Sequence, residues 1–185
     1  MPAHVPTAHA ALVCLHSWTD DITGHITDRG SAPLRPDTLR RLSGGPGTRQ
    51  GVEGYIRHCL DQWETAGPLR AFGIRSGPDE TLAGTIDLRF AQQGLAPGQV
   101  NVAYGLYPSW RGQGLATRAV HLVSRYAASE GATEAVIQVE PENSGSAAVA
   151  LRAGFANHER VRTEDGTWLD RYIRDLRNPS QPQAS

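Results

Sequence analysis

The segment from Tyr107 to Ala119, YPSWRGQGLATRA, constrains the fold more than any other part of this sequence. The apolar run QVNVAYGLY, which leads into it, has the composition of a strand. The segment opens a predicted helix that ends at Gly131 and whose apolar face is formed by Leu115, Ala119, Leu122, Val123 and Tyr126. A glycine-rich turn therefore joins a strand to a helix, which indicates an α/β unit.

Such a turn has two interpretations. A helix N-terminus carries unpaired N–H groups and attracts anions, and Gly112 and Gly114 would let a phosphate approach the backbone. Alternatively, the glycines only serve a tight turn with positive φ. Two common nucleotide motifs do not fit, because no Lys-Ser/Thr follows for a Walker A loop and Thr117 stands in the third glycine position of the dinucleotide fingerprint. The glycines alone leave both interpretations open.

The remaining segments predict a mixed domain. Further strands are predicted in ALVCLHSW, LRAFGIRS, TLAGTIDLRF and EAVIQVE, and a hairpin in FANHERVRTEDGTWLDRYIRDL. Helical spacing predicts a helix from Val52 to Trp63, and Asn143 is suited to cap another that is closed by Gly154. The expected fold class is α/β (α+β), a single domain with a mixed, mostly antiparallel central sheet flanked by helices. One strand-helix-strand crossover is expected near the middle of the sheet.

Composition excludes several classes of protein. The 185 residues suit one domain at 10–176, between loose tails at 1–9 and 177–185. The net charge of -1 and the lack of a basic block argue against a nucleic-acid partner, and the early apolar run AALVCL is too short for a signal peptide or a membrane span. Histidines without an HExxH motif do not support a metal site. Cys14 and Cys59 form no CxxC pair and are expected to be reduced thiols of a cytoplasmic protein.

Three motifs, taken together, resemble the GNAT acyltransferase superfamily. RGQGLA, at residues 111–116, resembles the Arg/Gln-x-x-Gly-x-Gly/Ala coenzyme A loop of that family. The closing DGTWLDRYIRDL resembles the last hairpin of its ribosomal-protein N-terminal acetyltransferase branch, the RimJ/RimL type. VEPENSGSAAVALRAGF resembles the family's strand and Asn-x-x-Ser helix ending in Gly-Phe, here Asn143, Ser146, Gly154 and Phe155. The resemblance extends from about Leu69 to Leu176.

This resemblance implies an acetyl-CoA-dependent N-acetyltransferase in which a primary amine attacks the thioester directly. The co-substrate would be acetyl-CoA, without a metal, and the acceptor would be a small molecule or a peptide N-terminus; the family also allows a homodimer. A backbone N–H near Leu106 would hold the developing oxyanion, and Asn143 would face the pantetheine. The diphosphate would bind the loop formed by Arg111, Gly112, Gln113, Gly114, Leu115, Ala116 and Thr117.

The general base is less clearly indicated. Several family members use a glutamate on the central strand, whereas QVNVAYG offers only Gln99 and Asn101. Asp87, on the preceding strand, could act through water or could be a solvated strand residue. Further candidates are Asp170, for which a structural hydrogen bond is an equal alternative, and His158 and Glu53.

The leaving thiolate needs a hydrogen-bond donor. In many relatives a tyrosine seven residues past the motif asparagine is thought to protonate it, but Ala150 stands there in this chain. We predict that Ser146, one turn earlier on the same helix face, donates a hydrogen bond to the sulfur. The alternative for Ser146 is a favourable small residue in the first turn. Two other functions stay open, namely transfer of a different acyl group and a non-catalytic acyl-CoA-binding sensor.

Overall fold

The computed structural model describes residues 14–17, 49–76 and 81–177. Residues 1–9 and 178–185, which belong to the predicted tails, lie outside this range. So does GPDE, whose composition predicts a hairpin turn between the strands LRAFGIRS and TLAGTIDLRF. A 3₁₀ turn at Pro108–Trp110 precedes the second described helix. The elements are β1 Cys14–Ser17, α1 Arg49–Glu64, β2 Leu69–Ser76, β3 Thr81–Arg89, β4 Gln99–Leu106, α2 Leu115–Ser129, β5 Glu134–Val139, α3 Ser144–Arg152, β6 Ala156–Arg162 and β7 Trp168–Asp175.

The described strands form one seven-stranded sheet in the order β1-β2-β3-β4-β5-β7-β6. Neighbouring strands are antiparallel except β4 and β5, which run parallel and are joined through α2. A parallel pair needs such a crossover, because a tight turn can only join antiparallel strands. The predicted mixed, mostly antiparallel sheet with one crossover near its middle is confirmed.

The helix α2 covers one face of the sheet with the apolar stripe that the sequence predicts. Leu115, Ala119, Leu122 and Val123 are each at most 3% exposed and belong to the main core. The sheet side of this core is built from alternate strand residues, among them Phe72, Ile86, Leu88, Val100, Val102 and Ile137. Burial of this stripe fixes α2 against the sheet, and its first turn therefore lies beyond the end of β4.

The middle of the helix α1 lies against the opposite face. Its Cys59 is fully buried in a small cluster with Ala71 and Leu82, and its Tyr55 reaches Asp87 on β3. Asp87 and Ala71 are cross-strand partners, whereas the neighbouring Phe72 and Ile86 belong to the core under α2. Among the described residues, no helix is long and apolar enough to cross a bilayer.

Candidate active site

The sheet opens between β4 and β5. Their pairing joins residues 99–101 to residues 134–136 and then stops, although β4 continues to Leu106 and β5 to Val139. On its other side β4 stays paired with β3 as far as Leu106. The two strands therefore diverge beyond Asn101, and we call the space between residues 102–106 and 137–139 the gap.

The backbone of β4 presents polar groups to the gap. The N–H of Tyr107 donates to the carbonyl of Ala83 at 2.9 Å. This bond shows which residues of β4 direct their peptide groups toward β3. Because hydrogen-bonded and non-bonded pairs alternate in an antiparallel ladder, the peptide groups of Val102, Tyr104 and Leu106 point away from β3. Their N–H groups can therefore pair with a ligand that lies along β4.

The glycine loop, residues 111–114, forms the N-terminus of α2 next to the gap. Gly112 and Gly114 have φ angles of 77° and 72°, so the backbone favours glycine at both, as the tight-turn interpretation predicts. A Cβ at Gly112 would meet no atom within 4 Å, which leaves open space above the loop. In the described chain no N–H of residues 112–117 donates to a backbone carbonyl, and the first turn contains no acidic residue. The loop therefore also presents the unpaired donors that an anion needs.

Two guanidinium groups accompany these donors. The Nε of Arg111 donates to the carbonyl of Leu106 at 3.1 Å, which ties the loop to the end of β4. Arg118, one turn into α2, folds back so that its Nη2 donates to the carbonyl of Gln113 at 3.0 Å. Its Nη1 would lie 3.5 Å from a Cβ at Gly114. Helical periodicity only places Arg118 off the apolar face, so sequence analysis missed its contact with the loop.

The first turn of α3 lies close to β4. Asn143 caps the helix as predicted, since its Oδ1 accepts from the N–H of Ser146 at 3.2 Å. The hydroxyl of Tyr104, on β4, donates to the carbonyl of Ser146 at 3.1 Å. Burial raises the pKa of Tyr104 to about 12, so the phenol stays protonated near neutral pH. The structure thus brings a phenol to the turn of Ser146 from β4, a contact that the sequence does not reveal, while Ala150 is fully buried in the core.

Asp87 lies on the face of the sheet that α1 covers. It is 8% exposed, so the expectation of a solvated strand residue is wrong. Its Oδ2 accepts from the Tyr55 hydroxyl and from Arg89 Nη2, both at 3.1 Å. Burial of a carboxylate is tolerated here because the arginine pairs with it. Within the described residues its Oδ1 has no hydrogen-bond partner.

The nearby Cys59 is a free, fully buried thiol. Burial raises its pKa to about 11, and burial followed by the charge of Asp87 raises the pKa of Tyr55. A thiol that is protonated at neutral pH is a poor nucleophile. The prediction of a reduced thiol is confirmed for Cys59, whereas the side chain of Cys14 lies outside the described residues.

Two further base candidates, Asp170 and His158, lie on the closing hairpin. Asp170 forms a bidentate ion pair with Arg160 at 2.6 and 3.1 Å, and these hydrogen bonds lower the pKa of its carboxyl. This favours the structural alternative for Asp170. His158 is exposed on the edge strand β6, and the side chain of Glu53 lies outside the described residues. Over the part of the chain that the structure describes, no His, Cys, Asp and Glu side chains form a group that could hold a metal ion.

The family model of the GNAT acetyltransferase domain matches residues 27–156, a range that contains every element from α1 to α3. The chain belongs to the GNAT acetyltransferase family. The resemblance to the GNAT superfamily is thereby confirmed. In this GNAT chain the glycine loop, the gap and the capped α3 all lie inside the matched range.

Individual GNAT relatives agree with this assignment. The Bacillus subtilis protein named "Probable N-acetyltransferase YjcK" is 33% identical over 116 residues, which span 60% of this chain and 64% of that protein. RimL, a ribosomal L7/L12 alpha-N-protein acetyltransferase solved with coenzyme A, has a TM-score of 0.76 at 15% identity and covers 91% of this chain and 97% of its own. Spermidine N-acetyltransferase from Vibrio cholerae, solved with CoA and spermine, has a TM-score of 0.73 at 12% identity and covers 93% of this chain and 100% of its own. At these identities the two structures show a shared fold.

Proposed function

We propose that this chain is an acetyl-CoA-dependent N-acetyltransferase that acts on a primary amine in a ternary complex. The observation that carries the proposal is the gap between β4 and β5. It runs from the unpaired N–H groups of residues 112–117 along the peptide groups of Val102, Tyr104 and Leu106. An extended thioester with amide groups along its arm and a diphosphate at its end has the chemistry that this path accommodates.

The donor would lie along that path in one orientation. Its diphosphate would accept hydrogen bonds from residues 112–117, with positive charge from Arg111 and Arg118 and from the helix N-terminus. Its pantetheine would add to β4 as an extra strand does, pairing through backbone groups. The carbonyl of Leu106 accepts from Arg111, whereas the gap-facing N–H groups of Tyr104 and Leu106 are donors that can bind an oxygen of the thioester.

The reaction needs no covalent enzyme intermediate. The lone pair of the amine nitrogen attacks the thioester carbon, the C–S bond breaks, and its electron pair leaves on sulfur as a thiolate. The nitrogen, now bonded to the acetyl carbon, loses one further proton, which water carries to the thiolate. An amine with a pKa of roughly 8 to 10 arrives protonated and must lose a proton before it attacks. We assign that proton to Asp87, directly or through water, and the developing oxyanion to a gap-facing N–H of β4 near Leu106, that of Tyr104 or of Leu106 itself.

Ser146 is proposed to stabilise the leaving thiolate. Ser146→Ala should lower kcat by roughly ten- to a hundredfold with little change in acetyl-CoA affinity, since one hydrogen bond falls at or below the low end of acid–base assistance. The substitution keeps the backbone bonds to Asn143 and Tyr104, so the turn should stay in place. The measurement is kcat where chemistry limits the rate, with Tyr104→Phe as the companion variant. A kcat within about twofold of wild type removes Ser146 from the mechanism, and a larger loss in Tyr104→Phe assigns the donor to the phenol.

Asn143 is proposed to contact the pantetheine in addition to capping α3. Asn143→Ser retains a capping oxygen at little cost to the helix, so the thermal midpoint should hardly change. Acetyl-CoA affinity, measured by calorimetry, should fall about two- to tenfold through loss of one hydrogen bond. Unchanged affinity would mean that capping is the whole role of Asn143.

The proposal extends to the class of amine that accepts the acetyl group. The named substrates of RimL and of the spermidine enzyme, a ribosomal protein and a polyamine, both offer primary amines. The motif of the closing hairpin supports the RimJ/RimL-like branch, and we propose a cytoplasmic enzyme whose acceptor is a peptide N-terminus or a small amine. A homodimer is the assembly to be tested, by light scattering.

A panel of amines tests the function. CoA release would be followed with acetyl-CoA and, in turn, a peptide with an N-terminal serine, spermidine, or no acceptor. We expect release only with an amine, together with the acetylated product. Faster turnover with propionyl-CoA would indicate a different acyl donor. Tight acetyl-CoA binding without release for any amine would favour the sensor and contradict the enzyme.

A further inference from the structure

Two buried oxygens on the face that α1 covers have no hydrogen-bond partner. Asn101 is 5% exposed and Asp87 is 8% exposed, and in the described part of the chain the Oδ1 of each is unpaired. Arg89 is the cross-strand partner of Asn101, and Ala103 is that of Asp87, so the two side chains are diagonal neighbours. Diagonal neighbours lie about 7–8 Å apart, close enough for one small group to bridge the two side chains.

Among the described residues Gln92, Ser124 and three arginines also have a buried atom without a partner, but the Oδ1 atoms of Asp87 and Asn101 are the two such acceptors that are diagonal neighbours on one face. The other oxygen of Asp87 accepts from Tyr55 and Arg89. Gln99, two residues before Asn101 on the same face, bonds through its amide to Glu134, to Arg171 and to the N–H of Ala96. A buried acceptor without a donor destabilises the folded state, and native proteins pair most such groups. The two oxygens therefore indicate a ligand that brings N–H donors.

Their place in the sheet indicates which ligand. Asn101 is the last residue of β4 that pairs with β5, and its partner is Val136. Asp87 lies opposite Ala103, within the part of β4 that borders the gap. The oxygens thus lie at the closed end of the gap, where the acyl end of the donor is proposed to point.

We propose that Asp87 Oδ1 and Asn101 Oδ1 together bind the acceptor nitrogen and select ammonium groups that carry N–H bonds. This inference rests on the proposed function and specifies its acceptor subsite. Arg89 already balances the charge of Asp87, so recognition depends on directed hydrogen bonds more than on net charge. A quaternary ammonium or an alcohol cannot supply two donors to the two oxygens.

The subsite also orders the proton transfer. One ammonium proton passes to Asp87 Oδ1, and the electron pair of that N–H bond becomes the lone pair of the neutral amine. The lone pair at first points at the proton that Asp87 has taken. Rotation of the amine about its second hydrogen bond, which stays on Asn101 Oδ1, turns the lone pair toward the gap. Asn101 is a positioning residue in this scheme, since it holds the acceptor without taking its proton.

Thermal unfolding with two small probes tests the subsite without requiring turnover. Methylammonium chloride should raise the thermal midpoint of the CoA-bound wild-type protein, and tetramethylammonium chloride at the same concentration should not. Asn101→Leu, which has a similar shape and no acceptor, should abolish the methylammonium shift. Its midpoint without probe should equal or exceed that of wild type, because an unpaired oxygen has been removed. In turnover with ethylamine, its KM for the amine should rise about tenfold or more, with acetyl-CoA affinity unchanged.

Ser124→Ala is the matched control. It removes another buried, unpaired oxygen, from α2, and should leave the methylammonium shift and the KM for ethylamine as in wild type. No shift in wild type, an equal shift with tetramethylammonium, or a shift that survives Asn101→Leu would each overturn the subsite. An intact, Asn101-dependent shift without acetyl transfer to any amine would support the subsite and refute the proposed function alone.

Discussion

Gly114→Asp should weaken acetyl-CoA binding by about a hundredfold or more while the protein stays folded. The new carboxylate would project from the row of N–H groups at residues 112–117, where the diphosphate is proposed to bind. Two unit charges 4 Å apart repel by about 4 kcal/mol near a protein surface, and tenfold in affinity corresponds to about 1.4 kcal/mol. Because solvent at the exposed loop screens this repulsion, we expect a loss of about a hundredfold and not the larger factor that about 4 kcal/mol corresponds to. Calorimetry with acetyl-CoA measures the loss.

Two controls separate charge from backbone strain. Gly114→Asn imposes a side chain of the same size at a φ of 72° without the charge, and asparagine tolerates this conformation comparatively well. Gly131→Asp places the same charged side chain at a positive φ, 91°, at the other end of α2, where nothing lies within 4 Å of the new Cβ. Both should bind acetyl-CoA far better than Gly114→Asp. Equal affinity for Gly114→Asp and wild type would remove the loop from the donor site.

Asp87→Asn should lower kcat by about a hundredfold or more and leave acetyl-CoA affinity unchanged. Asparagine keeps the shape of the side chain and an oxygen for the Tyr55 hydroxyl, but it cannot accept the proton of the acceptor ammonium. General base assistance is typically worth about 10²–10⁴-fold. Single-turnover rates, measured with acceptor and donor saturating, isolate this step from product release.

Asp170→Asn is the matched control for the loss of an ion pair. It breaks the contact with Arg160 as Asp87→Asn breaks the contact with Arg89. We expect a lower thermal midpoint and a kcat within a few-fold of wild type. If Asp170→Asn loses as much kcat as Asp87→Asn, or if Asp87→Asn retains full activity, Asp87 is not the base.

Much of the fold could be predicted because local signals agree with the tertiary structure. Apolar residues spaced three or four apart mark the buried stripe of α2, and Gly131 and Gly154 end α2 and α3 with φ angles of 91° and 80°. Asn143 caps α3 as its position predicts. The order of strands β5, β7 and β6 could not be obtained in this way, because strand pairing depends on contacts between distant residues.

The site was only partly predictable for the same reason. The glycine loop is one contiguous motif, so a single stretch of sequence reveals it. The exposure of Asp87 was misjudged because its burial comes from Tyr55 on α1 and from its pairing with Arg89. The contacts of Tyr104 with α3 and of Arg118 with the glycine loop depend on how side chains fold back, which periodicity does not encode.

Direct attack of a primary amine on acetyl-CoA in a ternary complex can be tested by a single-turnover reaction with acetyl-CoA and an N-terminal-serine peptide or spermidine, quenched at intervals and analysed by mass spectrometry. We expect CoA and acetylated amine to appear together in equal amounts, with no acetylated protein at any time and no CoA release when the amine is left out. An acetylated form of the protein that rises before product and then decays would contradict direct attack.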